Sequence, residues 1–272
     1  MSKKKAMFFK AASGGSGEVE SQAIITAING TDVTLTVPQE DTIKTMVSSF
    51  FSSGIWEKSV AIYVPIYGTA SSSKFNWKNP VDSDEAHRIE WGSFWSSFTG
   101  EANPNGANAG ANSHIIPSAV LTENDTHLSY FSTTESTVDG IQIGAEFTGP
   151  PFLPNISMNI KDSNDLFVST LNSWEAGQEL EVSNTSSIGF FVSNRTSSTV
   201  LNSWKDGVKL GTNTATSSRD VNLSNSLYIN ALNKGTGAIA NRSDTSWKFI
   251  SVGSGLTDTQ VIDLNTILTD NL

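Results

Sequence analysis

The sequence predicts an all-β fold, a sandwich of jelly-roll type, and three observations predict it. Ser, Thr and Asn supply roughly a third of the 272 residues, well above average usage, while charged residues are only 16%. Surface helices are written in Glu, Lys and Arg, so this composition favours strands and polar turns. Short β-prone runs then recur between turn clusters: Val60–Tyr67, His87–Trp91, His114–Ile116, His127–Thr134, Gly140–Phe147, Ile156–Lys161 and Leu166–Leu171, followed by Ile188–Asn194, Thr199–Trp204, Val208–Thr212, Leu227–Leu232 and Trp247–Val252. Within them, Ile141, Ile143, Ala145 and Phe147 alternate with polar or small residues, the period of a strand with one buried face. Asp206-Gly207, between Trp204 and Val208, is a strong two-residue hairpin signal, and Asp139-Gly140 is a second. Many short strands at modest spacing argue a sandwich. A chain of this length can bury roughly 70–75% of its unfolded surface, enough for a real core.

The N-terminal residues 1–20 read as a flexible arm and linker. Met1-Ser2-Lys3-Lys4-Lys5 precedes Ala6-Met7-Phe8-Phe9 and Lys10, then the Gly/Ser run Ala11 to Gly17. Phe8 and Phe9 would be wasted in solvent, so the arm is expected to dock on a neighbouring subunit. A secretory leader needs at least ~7 consecutive apolar residues and a membrane helix ~20. No such run occurs, so the expectation is synthesis in the cytoplasm without membrane insertion.

Residues 21–40 read as a β-hairpin, with Ala23–Ile28 and Val33–Val37 flanking Asn29-Gly30-Thr31-Asp32 and Pro38 ending the second strand. A helix should follow over about 41–53, starting at Asp41 or Thr42 and ending at Gly54. Ile43, Met46, Val47, Phe50 and Phe51 fall on one stripe whose opposite face is Ser-rich rather than basic, so it should pack on the sandwich and not on a membrane. The remainder, 41–272, is expected to be one sandwich domain. It should close with a short helix over 257–269, where Thr257-Asp258-Thr259-Gln260 matches a capping box and Val261, Leu264 and Leu268 share a face.

Charge and cysteine content exclude several functions. Lys+Arg 17 against Asp+Glu 27 leaves a net charge of −10, which argues against a nucleic-acid partner. With Cys 0 there is no thiol catalysis, disulfide or thiolate metal site.

Longer strings carry a resemblance. Tyr63-Val64-Pro65-Ile66-Tyr67-Gly68-Thr69-Ala70 leads into Lys74-Phe75-Asn76-Trp77-Lys78-Asn79-Pro80; then come Asn103 through Ala111, Leu121 through Tyr130, and Val252-Gly253-Ser254-Gly255-Leu256-Thr257-Asp258. This pattern, over about residues 40–272, resembles a family of phage virion and tail-associated proteins. Phe190 through Thr196 and Trp204 through Thr212 also look like the concanavalin A-like, laminin-G-like lectin sandwich. What the resemblance implies is a concanavalin-like jelly roll in a structural protein of a tailed phage, made in the bacterial host cytoplasm and carried in the virion. Its implied partners are other virion proteins and further copies of itself, and its implied use is assembly or host attachment. Recognition of a host-surface glycan is the alternative, and polysaccharide depolymerisation comes last. Function from fold is analogy, so the residues must be weighed directly.

Glycoside hydrolysis needs two facing carboxylates about 5–9.5 Å apart. The nearest acidic cluster, Asp82-Ser83-Asp84-Glu85, lies in a turn signal, and Glu90 has Arg88 and Gly92 as strand neighbours. It reads as a solvated turn, and no catalytic residue is assigned. His87, His114 and His127 are too dispersed to spell a zinc motif. No cofactor is expected; calcium is the open alternative, through oxygens of Asn124-Asp125 or Asp162-Ser163-Asn164-Asp165. Tryptophans mostly fill cores, but aromatic faces also stack on sugars. Trp91 and Trp95, in the dense stretch Ile89–Phe98, are therefore the first binding candidates. Asn105, Asn108 and Asn112, in the Asn/Gly loop Ala102–Ser113, are the others, because amides both donate to and accept from hydroxyls.

Overall fold

A computed structural model describes residues 16–65, 67–106, 109–146, 155–173, 177–217, 224–235 and 238–272. Two helices come first, α1 (Ser16–Asn29) and α2 (Val37–Ser52), then the single turn α3 (Ile55–Lys58) and strand β1 (Ser59–Tyr63). A compact insert follows: β2 (Tyr67–Gly68), the turn α4 (Ala70–Ser73), β3 (Glu90–Trp91), β4 (Trp95–Thr99), β5 (Asn103–Pro104), β6 (Ala111–Asn112) and the turn α5 (Pro117–Val120). The long strands are β7 (Thr126–Ser132), β8 (Ile143–Glu146), β9 (Asn155–Asn159), β10 (Leu166–Ser173), β11 (Leu180–Ser183), β12 (Gly189–Ser197), β13 (Val200–Lys205) and β14 (Val208–Asn213). Short β15 (Tyr228–Ile229), β16 (Leu232–Asn233) and β17 (Ile239–Ala240) precede β18 (Trp247–Gly253) and the closing helix α6 (Asp258–Asn271).

Two sheets face each other. One has six antiparallel strands in the order β1-β18-β7-β12-β13-β14; the other runs β11-β10-β9-β8-β15-β6-β3, with β16 and β17 joined at β8. Leu128, Tyr130, Phe191, Ile250 and Val252 from the first sheet meet Ile143, Ile156, Met158, Phe167 and Ile229 from the second in one core. The opposite face of the six-stranded sheet is buried too. Ile62, Phe190, Val192, Trp204 and Phe249 pack there against Ile24 and Ile28 of α1, Ile43, Met46, Val47 and Phe50 of α2, and Val261 and Leu264 of α6. A sheet covered on both sides accounts for the continuous runs Phe190-Phe191-Val192 and Phe249-Ile250, which one-faced alternation does not produce. The expected β-sandwich is therefore present, with a helical layer added on one side.

The hairpin expected over 21–40 is a correction. Residues 16–29 form α1, which buries Ser21, Ile24, Ile25 and Ile28, a helical spacing. Asn29-Gly30 ends this helix and turns no hairpin, with Gly30 N–H donating to the Thr26 carbonyl (3.0 Å). Pro38 does not end a strand; it sits in the first turn of α2, where its missing N–H costs nothing. Thr36 caps that helix with Gln39 in a capping box, so it starts at 37 rather than 41. Of the expected arm, Ser16 to Glu20 belong to α1; residues 1–15, with Phe8 and Phe9, lie outside the described residues.

Both Asp-Gly signals can be compared with the structure. Asp206 (φ 49°) and Gly207 (φ 75°) take the left-handed pair of a tight hairpin turn between β13 and β14. Asp139-Gly140 turns no hairpin, because β7 and β8 lie in different sheets. Gly140 instead allows close backbone approach: a Cβ there would stand 2.5 Å from the Arg242 carbonyl. The strands expected over His87–Trp91 and His114–Ile116 also fail at their histidines. Both are left-handed (φ 58° and 53°): His87 ends a 3-10 turn, and His114 lies two residues beyond the end of β6. The capping box at Thr257–Gln260 opens α6 as expected.

Candidate functional site

The two aromatic candidates belong to the core edge. Trp91 and Trp95 are half-buried, 4.9 Å apart between ring centroids in an edge contact, and both border the fully buried Trp247 (6.0 and 6.5 Å). Phe98 completes the cluster, 4.6 Å from Trp91. The indole N–H of Trp91 donates to the Ala70 carbonyl (2.9 Å), and that of Trp95 reaches Gly110 (3.4 Å). Rings engaged on their faces and at their N–H groups serve packing. Trp91→Ala should accordingly lower stability by about 2–4 kcal/mol, read in urea denaturation. Asn105 lies apart, exposed, its N–H bonded to the carbonyl of Phe94 (2.6 Å), which is itself 55% exposed. Asn108 lies outside the described residues.

Asn112 occupies a different surface. On β3-β6-β15, Glu90 pairs with Asn112 and Asn112 with Tyr228. Their chain neighbours Trp91, Ala111 and Ile229 point into the core. Alternation therefore places Glu90, Asn112 and Tyr228 in one row on the outer face of the sheet. Beside this row opens a pocket of about 330 Å³, lined among others by His114, Asn225, Ser226, Tyr228 and Asn233. That is the low end of the ligand-site range, about 300–1,000 Å³.

The walls are braced. Asn233 Nδ2 donates to the Ser226 carbonyl (2.8 Å) and its Oδ1 accepts from Gly235 N–H (2.9 Å). Asn225 Nδ2 donates to the Glu146 carbonyl (2.7 Å). His114 is held by a chain of bonds from the core. Buried Tyr63 donates its hydroxyl to the His87 carbonyl (2.6 Å), His87 Nδ1–H donates to the His114 carbonyl (3.1 Å), and Asn112 Oδ1 accepts from His114 N–H (3.0 Å). The last of these is an Asx turn, which tolerates the left-handed backbone that His114 adopts.

The imidazole joins the pocket to a string of charges. His114 Nε2 stands 3.4 Å from a carboxylate oxygen of both Asp84 and Glu90. Arg88 bridges Asp84 (2.9 Å) and Asp82 (3.1 Å), and Lys74 meets Asp82 at 2.5 Å. The acidic turn is thus solvated and also ion-paired. The Arg88 hydrogen bond holds the Asp84 carboxyl below the usual range, and the Lys74 hydrogen bond does the same for Asp82. Burial pushes the Tyr228 phenol up, with a further push from Glu90, so it remains an O–H donor.

The other singled-out residues fill structural roles. Asp125 Oδ1 accepts from Gly255 N–H (2.8 Å), and Asp162 Oδ1 accepts from the N–H groups of Asn164 and Leu166 (2.8 Å each). Each of these bonds helps to build a turn. Among the described residues, no group of three or more His, Cys, Asp or Glu side chains is placed to hold a metal ion. No described helix is long and apolar enough to cross a membrane.

No protein-family model matches the sequence, and no curated protein matches it. Solved structures share the fold. A mutant of Trypanosoma rangeli sialidase displaying trans-sialidase activity superposes with a TM-score of 0.53 at 11% identity, over 86% of this chain and 40% of that one. Trypanosoma rangeli sialidase in complex with 2,3-difluoro-KDN gives 0.52 at 12% identity, over 85% and 40%. This chain therefore spans about two fifths of the sialidase's length. Domain 4 of AbnA, a GH43 extracellular arabinanase from Geobacillus stearothermophilus, gives 0.41 at 16% identity, over 76% and 98%. At such identities the sialidase likeness is one of fold.

No local motif marks the pocket. Glu90, His114, Tyr228 and Asn233 come from distant parts of the chain and meet only through sheet register. Of the expected binding residues that the structure describes, Asn112 alone stands on this face.

Proposed function

We propose that the protein is a non-catalytic, lectin-like sandwich of a phage virion that binds glycans of the host surface in the His114–Tyr228 pocket. The observation that carries the binding reading is the pocket's chemistry. A phenol, an imidazole, amides and a hydroxyl line a concave site on a rigid sheet, and such groups pair with sugar hydroxyls while an aromatic face covers a sugar ring. Arg88 holds the Asp84 carboxyl below its usual range, which argues against Asp84 as the acid that protonates a leaving group. The virion setting, and partnership with other virion proteins or further copies of the chain, rest on the resemblance of the Tyr63–Ala70 and Val252–Asp258 strings.

On a glycan array, the full chain should bind a defined subset of oligosaccharides. Tyr228→Ala should weaken that binding about tenfold or more, whereas Trp95→Ala should leave it unchanged in whatever fraction remains folded. An array without signal, or signal untouched by Tyr228→Ala, contradicts the reading. Peptide mass spectrometry of purified particles tests the setting. Native mass spectrometry tests self-assembly, in which residues 1–15 are the proposed contact.

A further inference from the structure

The rim of the pocket carries a charge pattern that restricts its ligand. Glu90 and Asp84 both approach His114 Nε2 at 3.4 Å, and Glu90 shares the outer row with Asn112 and Tyr228. Behind the lining residue Asn225, whose side-chain amide donates to its backbone carbonyl, stands Glu146. The neighbouring cations are engaged with these acids: Arg88 bridges Asp82 and Asp84, and Lys234 stands 4.0 Å from Glu146. A carboxylated ligand would meet acidic side chains on entry and would have to break an ion pair to gain a cation. A neutral hydroxylated ligand meets acceptors for its hydroxyls, since ionised carboxylates accept strongly.

We infer that the pocket selects uncharged saccharides and excludes sialic and uronic acids, with Glu90 as the residue that sets this preference. The inference rests on the proposed glycan-binding reading and adds the ligand's charge class. It runs against what a sialidase-like sandwich alone would suggest. Like charges on a solvated rim repel weakly, so the discrimination contributed by Glu90 should be on the order of 3–10-fold and should shrink in high salt.

The test is calorimetric titration of the full chain with neutral gluco-, galacto- and manno-oligosaccharides and, at matched concentrations, with sialyllactose and oligogalacturonate. At least one neutral oligosaccharide should bind more tightly than both acidic probes. Glu90→Gln, which keeps the shape and removes the charge, should narrow the gap between neutral and acidic probes by about 3–10-fold. Thermal denaturation of the variant checks that it is folded. Acidic probes that bind as well as or better than every neutral one, in a chain whose binding Tyr228→Ala still weakens about tenfold or more, overturn the charge selection and leave the glycan reading standing. Binding of neither class overturns the glycan reading and the inference with it. A Glu90→Gln variant that is folded, binds neutral sugar and shows an unchanged gap overturns the role of Glu90.

Discussion

Trp247→Ala should lower the stability of the protein by about 3–5 kcal/mol, the range for emptying a large aromatic from a close-packed core. Trp247 is fully buried at the junction of three structures: it opens β18, its backbone exchanges both hydrogen bonds with Ala102 of the insert (2.8 and 3.1 Å), and its ring borders Trp91, Trp95 and Tyr130. Removing the indole takes away the floor on which the half-buried pair rests, so the cavity cannot collapse without shifting the insert. Trp247→Phe should cost markedly less. Phenylalanine keeps most of the apolar contact and deletes an indole N–H that is buried without a hydrogen-bond partner among the described residues. Urea denaturation of both variants measures the difference. A Trp247→Ala protein within about 1 kcal/mol of the wild type would contradict this account of the aromatic cluster.

Acidification from pH 7 to pH 4 should remove about 3 kcal/mol of stability through His127 alone. This side chain is fully buried on β7, where its Nδ1–H donates to the Ser254 carbonyl (2.6 Å) and its Nε2 accepts from the Ser251 hydroxyl (2.9 Å). Both bonds suit the neutral ring. Burial pushes its pKa down to about 4 from 6.5, with the Ser254 carbonyl and Asp125 opposing and Lys58 assisting. The sign follows from the depressed value. Below about pH 6.5 the unfolded chain takes up a proton that the folded chain refuses, so stability falls until the folded form also protonates near pH 4. The carboxylates held low by their partners, Asp82 and Asp84 among them, lose their contribution only at more acidic pH. The share of the slope between pH 6.5 and 4.5 that belongs to His127 is read by comparing the wild type with a His127 variant. Denaturation midpoints across that window check it: His127→Gln should flatten the profile whatever its cost at pH 7, and an unchanged slope in that variant would contradict the assignment.

Local chemistry was legible wherever one reading of a segment excluded the others. The stripe Ile43, Met46, Val47 and Phe50 is buried as a stripe should be, and Thr257 with Gln260 closes the cap that their spacing announces. Asp206-Gly207 turns its hairpin because both residues tolerate the left-handed backbone that the turn demands. Asn29-Gly30 is ambiguous because the same pair of residue types also ends helices, and here it does so without either residue taking the left-handed backbone. Read as a hairpin turn, the pair hides the capping residues Thr36 and Gln39 and the first-turn Pro38, which together mark the start of α2.

Two features had no local signature. Serines read as surface residues also build the interior: Ser169 from one sheet meets Ser193 and Ser203 from the other at 2.6 Å each, and Ser129 meets Ser251 at 2.6 Å. The Ser169 hydroxyl is satisfied across the sandwich and the Ser129–Ser251 pair between neighbouring strands of one sheet, so their burial follows from register and not from hydropathy. The pocket is a second case. Asn112 was marked by its type, whereas Glu90, His114 and Tyr228 became neighbours only when β3, β6 and β15 paired.

A crystal structure of the full chain with its best-binding neutral oligosaccharide tests the central claim most directly. The account predicts a sugar ring against Tyr228, with hydroxyls in hydrogen-bond reach of His114 and Ser226. A saccharide seated instead on the Phe94–Asn105 loop, or on the helical face of the six-stranded sheet, would contradict it.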